Sequence, residues 1–193
     1  MNKLKKITLI TLLSLLILTC LMIALSPYGN KDGSECKLVI HTVKINASAD
    51  SVFHFLGNSN NAKRWSVYVN HITPLNSDSV ADGQPGSTRR CFQNANEQGI
   101  QWDELITVVE PGKRRQLTIY NMQNFSMQAN NLATEQLYEA VDNNTCKLSF
   151  TLFYCNAEPT LFESLKTYFA AYIVKNIYQK NMENIKRIVE TGK

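Results

Sequence analysis

The chain has 193 residues, a formal net charge of +4 and 44% hydrophobic residues. With the first thirty residues set aside, about 160 remain, the size of one domain with a substantial core. The basic residues are scattered, without a stripe of lysine or arginine interleaved with aromatics, which argues against nucleic acid as a partner.

The first predicted element is apolar. "MNKLKK" is followed by "ITLITLLSLLILTCLMIAL", Ile7 to Leu25, with no charged residue. About 20 apolar residues cross a bilayer. A secretory signal usually has a shorter apolar core and a small-x-small cleavage site. Ala24-Leu25-Ser26 imitates such a site, but Pro27 follows and opposes cleavage. Cys20 in "LILTC" resembles a lipoprotein box, but Thr19 suits one poorly. We expect an uncleaved membrane anchor over residues 1–26, with a cleaved signal and a lipoprotein as alternatives. Lys3, Lys5 and Lys6 precede the apolar run, which predicts a cytoplasmic N-terminus. The folded domain would then be extracytoplasmic, and periplasmic in a bacterium.

"SPYGNKDGSE" is polar and carries Pro and Gly, so residues 27–36 read as a linker and 37–193 as one domain. "KLVIHTVKI" (Lys37 to Ile45) is rich in β-branched residues and predicts a strand. Ser48 can cap a short helix whose apolar face is Val52, Phe53 and Leu56. "NSNNAKRW" predicts a second short helix ending near Trp65. Strands then follow: "VYVNHITPL", "STRRCFQN", "IQWDELITVVEPG", "RRQLTIYNM", "LATEQLYEAV" and "CKLSFTLFYC", the last two joined by the turn signal "DNNT". From Pro159 onward the spacing predicts one helix of about thirty residues, with Pro159 in its first turn. Its stripe is Phe162, Leu165, Phe169, Ile173, Ile177, Ile185 and Ile188.

Strands joined by short turns predict an antiparallel meander, and the last helix is the only element long enough to cover it. The expected fold is therefore α+β: about seven antiparallel strands curved around a long C-terminal helix (a helix-grip), two short helices after the first strand, and an N-terminal transmembrane helix.

The five cysteines are Cys20, Cys36, Cys91, Cys146 and Cys155, and none has CxxC spacing. Cys36 precedes the first strand and Cys155 ends the last. If those strands pair antiparallel, a disulfide is within reach outside the cytoplasm; buried free thiols are the plainer alternative. No motif asks for a metal or cofactor. No GxSxG, metal triad or Gly-rich phosphate loop is present.

The element order, with particular residues, resembles the START-like (SRPBCC) ligand-binding superfamily, in the branch of polyketide cyclases/dehydrases and lipid transport proteins. The resembling stretches are "INASADSVFHFLGNSNNAKRW", "GSTRRCF" and "WDELITVVEPGKR", over about residues 37 to 190. The resemblance implies a deep apolar cavity between sheet and helix, but no single activity. It also implies that Trp65 stands at the cavity mouth.

The candidate site is the hairpin "RRCFQNANEQGIQWDEL", Arg89 to Leu105. A turn centred near Glu97 would set Phe92 opposite Trp102 and Arg90 opposite Glu104, all on the inward face with Ile106. A solvated Arg90–Glu104 bridge contributes ~0–1 kcal/mol. Inside a cavity wall the same pair has another use. Arg90 would hold a ligand oxygen, and Glu104 would hold the guanidinium. Glu104 as a catalytic acid or base is the third reading. Tyr120, Phe169 and Tyr172 complete the expected ligand-binding set, although ordinary core packing or a rim position is the plainer reading of each. The leading functional expectation is a membrane-tethered, non-enzymatic binder of a small hydrophobic or lipid-like molecule. An aromatase/cyclase-like enzyme and a ligandless interaction domain are the alternatives.

Overall fold

A computed structural model describes residues 3–30, 36–125, 132–155 and 160–192. The elements in chain order are α1 (Lys3–Ala24), β1 (Gly29–Asn30), β2 (Cys36–Ile45), α2 (Ala49–Gly57), α3 (Ala62–Trp65) after one 3-10 turn, β3 (His71–Pro74), β4 (Thr88–Phe92), β5 (Gln101–Glu110), β6 (Arg114–Gln123), β7 (Leu132–Asp142), β8 (Thr145–Cys155) and α4 (Leu161–Thr191). The strands form one antiparallel sheet in the order β1-β2-β8-β7-β6-β5-β4-β3. β1 is only two residues long, so the curved sheet is in substance the expected seven strands. The β5–β6 ladder shifts register twice, once between Gln101 and Asp103 with the extra residue in β6 and once between Ile106 and Val108 with the extra residue in β5, and these bulges bend and twist the pair.

β2 pairs with β8, which brings the first and last strands together and leaves α4 to cross the concave face. The sequence explains both ends of α4. Thr160 and Glu163 form a reciprocal capping box, and Gly192 closes the helix at φ 71°, a left-handed conformation glycine adopts without penalty. Pro159, expected in the first turn, lies outside the described residues.

The core sits against the C-terminal half of α4. Ile45, Val52, Leu148, Met182 and Ile185 are fully buried there, together with Phe53, Leu56 and Phe150. Each contributes ~1.5–3 kcal/mol of transfer free energy. The first half of α4 behaves differently. Phe162 is 66% exposed and Ile173 is 63% exposed, although both belong to the predicted apolar stripe. A cavity lies beneath this half of the helix, lined by Ala170, Ile173, Val174 and Ile177, whereas Phe162 stands off its wall.

β3 is shorter than the predicted strand from Val67. Ser66 Oγ accepts from the amides of Tyr68 (3.1 Å) and Val69 (2.9 Å), and Asn181 Oδ1 of α4 accepts from Val67 N (2.7 Å). These bonds turn the backbone away from ladder geometry. α1 opens on Lys3, Lys5 and Lys6 and carries no charge from Ile7 onward; with a mean hydropathy of 2.7 over its best window, it is the one helix among the described residues long and apolar enough to cross a membrane.

Candidate ligand-binding site

The β4–β5 hairpin pairs Cys91 with Trp102, Arg89 with Glu104, Arg90 with Asp103 and Phe92 with Gln101. This corrects the expected register by one residue. The cause is the loop. Glu97 (φ 59°) and Gly99 (φ 89°) both take left-handed conformations. Asn94 Nδ2 donates to Gln98 O at 2.8 Å, and Gln93 N donates to Ile100 O at 3.1 Å. The loop therefore closes on Phe92–Gln101 rather than Phe92–Trp102. Because side chains alternate, the slip turns β4 over. Arg89 and Cys91 face the cavity, whereas Arg90 and Phe92 face outward. β5 keeps the expected parity, with Trp102 and Glu104 on the cavity wall.

The inward constellation is tightly bonded. Arg89 Nε donates to Glu104 Oε2 at 2.8 Å, Arg89 Nη1 to Ser59 Oγ at 3.2 Å, and Trp102 Nε1 to Glu104 Oε1 at 3.0 Å. Arg89 is 7% exposed and Glu104 is 8% exposed. Burial alone would lower the Arg89 pKa, but the Glu104 carboxylate and its hydrogen bond reverse this and hold it above its ordinary value. Burial likewise pushes the neighbouring Cys91 thiol well up, with a further push from Glu104.

On the outer face Arg90 forms a two-pronged bond with Asp103, at 2.7 and 2.9 Å, and Asn121 Nδ2 adds a third at 2.7 Å. Burial raises the Asp103 pKa, but the hydrogen bonds from Arg90 and Asn121 and the Arg90 charge outweigh it, so the net shift is downward. Phe92 remains buried on this face because His71 stacks on it, with ring centres 4.8 Å apart. Tyr120 pairs with Asp103 in the ladder and is 40% exposed.

The cavity has a volume of about 330 Å³. Its apolar wall includes Leu117 and Ile119 of β6, Leu152 of β8, and Val174 and Ile177 of α4. Two aromatic groups frame it. Trp65 meets Phe150 edge-on, and Phe150 meets Tyr178. Trp102 packs against Tyr68 and Phe125. Trp65 Nε1 is buried without a hydrogen-bond partner, and the Tyr178 hydroxyl has none among the described residues. Burial, with a smaller contribution from the Glu104 charge, raises the Tyr178 pKa.

Of the residues chosen from sequence, Trp65, Trp102 and Glu104 stand together on the cavity wall. Arg90, Phe92 and Tyr120 do not. Phe169 is half-buried on α4 and off the wall. Tyr172 turns to α1, where its hydroxyl donates to the Met22 carbonyl at 2.7 Å. Sequence reasoning missed Arg89 and Tyr178. Tyr178 was legible as part of the Val174, Ile177, Tyr178, Asn181 helical spacing; Arg89 required the register.

Behind the cavity, Arg115 of β6 ties α2 to the sheet. Its Nη1 donates to Gln136 Oε1 (3.3 Å) and the Tyr138 hydroxyl (3.2 Å), and its guanidinium lies 4.4 Å from the Phe53 ring centre. Burial lowers its pKa. The described backbone also sets Cys36 directly opposite Cys155 in the β2–β8 ladder. The side chains of both lie outside the described residues, and Cys91 and Cys146 are free thiols.

Residues 38–190 match the family of polyketide cyclase / dehydrase and lipid transport proteins. The chain belongs to that family. Among solved structures it is similar to the protein XoxI from Bacillus cereus, at 14% identity and a TM-score of 0.57, covering 79% of this chain and 94% of that one. It is also similar to a Thalictrum norcoclaurine synthase point mutant bound to a transition-state analogue, at 11% identity and a TM-score of 0.58, covering 80% and 94%. A third similar structure is the di-domain ARO/CYC protein BexL of the BE-7585A biosynthetic pathway, at 14% identity and a TM-score of 0.60, covering 79% of this chain and 46% of that one. At such identities these likenesses establish the fold alone. Among curated proteins none matches this chain.

Proposed function

We propose that the protein is a membrane-tethered binder of a small, neutral, hydrophobic or lipid-like molecule held between sheet and α4. The observation that carries this reading is the cavity wall itself, apolar over most of its surface, with unpartnered donors at Trp65 Nε1 and Tyr178. Pockets of this kind bind largely by apolar contact and orient the ligand with a few polar groups. The Arg89–Glu104 pair is internally neutral, so it favours an uncharged ligand over a free carboxylate or phosphate. An oxygen acceptor on that ligand would satisfy the tyrosine and tryptophan donors. α1 supplies the tether: its length and its apolar run suit a bilayer span, and the lysines at its N-terminal end favour a cytoplasmic N-terminus.

The test is native mass spectrometry of the full chain in detergent, followed by organic extraction of the bound material. A neutral oxygen-bearing apolar molecule is expected, and Tyr178→Phe should weaken its retention about 2- to 10-fold, the effect of one hydrogen bond. Recovery of a stoichiometric phosphate- or carboxylate-bearing ligand would contradict the charge argument. No bound species, together with no uptake of an apolar fluorescent dye, would contradict the cavity reading.

A further inference from the structure

Besides the face buried against the sheet, where Ala171 packs with Val39 and Leu152, the first half of α4 presents three others. Successive helical residues are about 100° apart. One face meets α1. There the Tyr172 hydroxyl donates to the Met22 carbonyl at 2.7 Å, and Ser26 Oγ donates to the Tyr168 carbonyl at 2.9 Å. A second face, with Ala170, Val174 and Ile177, lines the cavity. Between them runs a stripe of Phe162, Phe169 and Ile173, in which Phe162 is 66% and Ile173 63% exposed. Ile173 also belongs to the cavity wall. The stripe therefore reaches from the α1 side of the helix to the cavity mouth.

The contacts with α1 say what covers this stripe. The Met22 carbonyl is one of the last four of α1, which lack a partner within the helix. Those of Leu21 and Ile23 are taken by Leu25 N and Ser26 N. Tyr172 caps Met22, an arrangement that matters most where water is scarce. Tyr28 packs edge-on against Tyr168, with ring centres 6.4 Å apart. Tyrosines gathered at the end of an apolar helix are what a membrane–water boundary selects. Lys166, whose ammonium lies 4.5 Å from the Phe162 ring centre, puts a cation beside the stripe, suited to lipid phosphates.

We propose that the Phe162–Phe169–Ile173 face of α4 rests in the leaflet at the C-terminal end of α1, and that ligand passes sideways between that leaflet and the cavity across Ile173. This rests on reading α1 as an anchor and the cavity as a ligand site. The protein would then exchange its ligand with its own membrane rather than with the aqueous phase.

The full chain in vesicles of phosphatidylethanolamine and phosphatidylglycerol tests this. A photoreactive benzophenone amino acid replaces Phe162, Ile173 or, as a control, Val141, which is 55% exposed at the end of β7. Phospholipid adducts are expected at 162 and 173 and not at 141. Tyr172→Phe should lower the adduct yield at 173 about 2- to 10-fold, the factor one hydrogen bond carries. Two readouts on the parent protein separate the premises: resistance to carbonate extraction for the anchor, and binding of a naphthalene dye for the cavity. Adducts absent at 173 while both readouts hold overturn the membrane seat alone. Adducts absent with extraction by carbonate overturn it together with the anchor. Adducts at 162 and 173 without dye binding leave the seat standing but overturn passage into the cavity.

Discussion

Replacing Arg89 by leucine should be among the most damaging single changes on the cavity wall. It leaves the Glu104 carboxylate, 8% exposed, with only the Trp102 N–H at 3.0 Å as a strong donor. Breaking a buried pair from one side costs about 3–5 kcal/mol, because the remaining charge is stranded. For a domain of this size each kcal/mol lowers Tm by ~2–4 °C, so a fall of roughly 6–20 °C is expected. The double variant R89L/E104L removes both charges, and apolar replacements of a buried pair are often neutral or stabilising. It should therefore recover most of the loss. Arg90→Leu should be milder, at about 1–3 kcal/mol. Its side chain is 32% exposed, so water can reach Asp103 once it is gone, and Asn121 still donates at 2.7 Å. Trp65 and Trp102 both line the cavity, so tryptophan fluorescence follows the melt of the full chain in detergent. If Arg90→Leu costs more than Arg89→Leu, or the double variant melts no higher than R89L, then Arg89 and Glu104 are not the buried pair of the wall.

Gly57→Ala would place a methyl group 2.8 Å from Arg115 Nη2, whose guanidinium is pinned by Gln136, Tyr138 and Phe53; a loss of about 1–3 kcal/mol in a denaturant melt is expected, and an unchanged midpoint would show that Arg115 yields freely. Burial raises the Asp103 pKa, but Arg90 and Asn121 bring it below 3.8 overall. Its contribution to stability is therefore complete above the unfolded value and is lost as pH falls through the lower folded one, so Asp103→Asn should flatten the acid limb of a Tm–pH curve. Cys91 is fully buried with its pKa pushed well up, so iodoacetamide should leave it unmodified in the folded chain and alkylate it in denaturant. The Cys36–Cys155 register predicts a disulfide when the domain folds in an oxidising compartment; intact mass before and after reduction should differ by two hydrogens, and no difference would leave both as thiols.

The architecture was legible because its signals are long and redundant. Residues 37–45, the Ser48-capped helix, the DNNT turn and the thirty-residue helical period each fix an element, and the meander follows from their order. The site was less legible because it depends on parity. One residue of loop length between Phe92 and Gln101 decides whether Arg89 or Arg90 faces the cavity, and that length is set by two left-handed residues and an Asn94 side-chain bond. None of this has a hydrophobic pattern, since both candidates are arginine. β5 was read correctly because Trp102, Glu104 and Ile106 share a parity within one strand. Phe92 misled for a separate reason: it is buried on the outer face by His71, so burial alone did not identify the inner one. From sequence, Tyr172 near the start of the long helix could line the cavity and offer it a hydroxyl. Its partner is α1, which lies outside the domain pattern altogether.

The bonding of Glu104 bears on the choice between carrier and enzyme. A general base must reach the proton it abstracts with a free oxygen. Here Oε2 accepts from Arg89 and Oε1 from Trp102. Each oxygen keeps a second lone pair, but the carboxylate is buried and already bonded by a guanidinium and an indole N–H, which suits it less than a free carboxylate to taking a substrate proton. On the cavity wall, Trp65 and Tyr178 are instead donors without protein partners. Donors aimed at an acceptor can hold a carbonyl, and they can also polarise one, so this arrangement suits retention and leaves a narrow route to carbonyl chemistry. The two are separable at Tyr178. A carrier loses affinity in Tyr178→Phe and regains nothing with pH. An enzyme that polarises a carbonyl loses turnover far beyond its loss of binding, because the hydrogen bond would strengthen as charge develops on the oxygen. Equal losses in retention and in any turnover would place Tyr178 as a binding group, and the Arg89–Glu104 pair as the rigid wall against which the ligand is held.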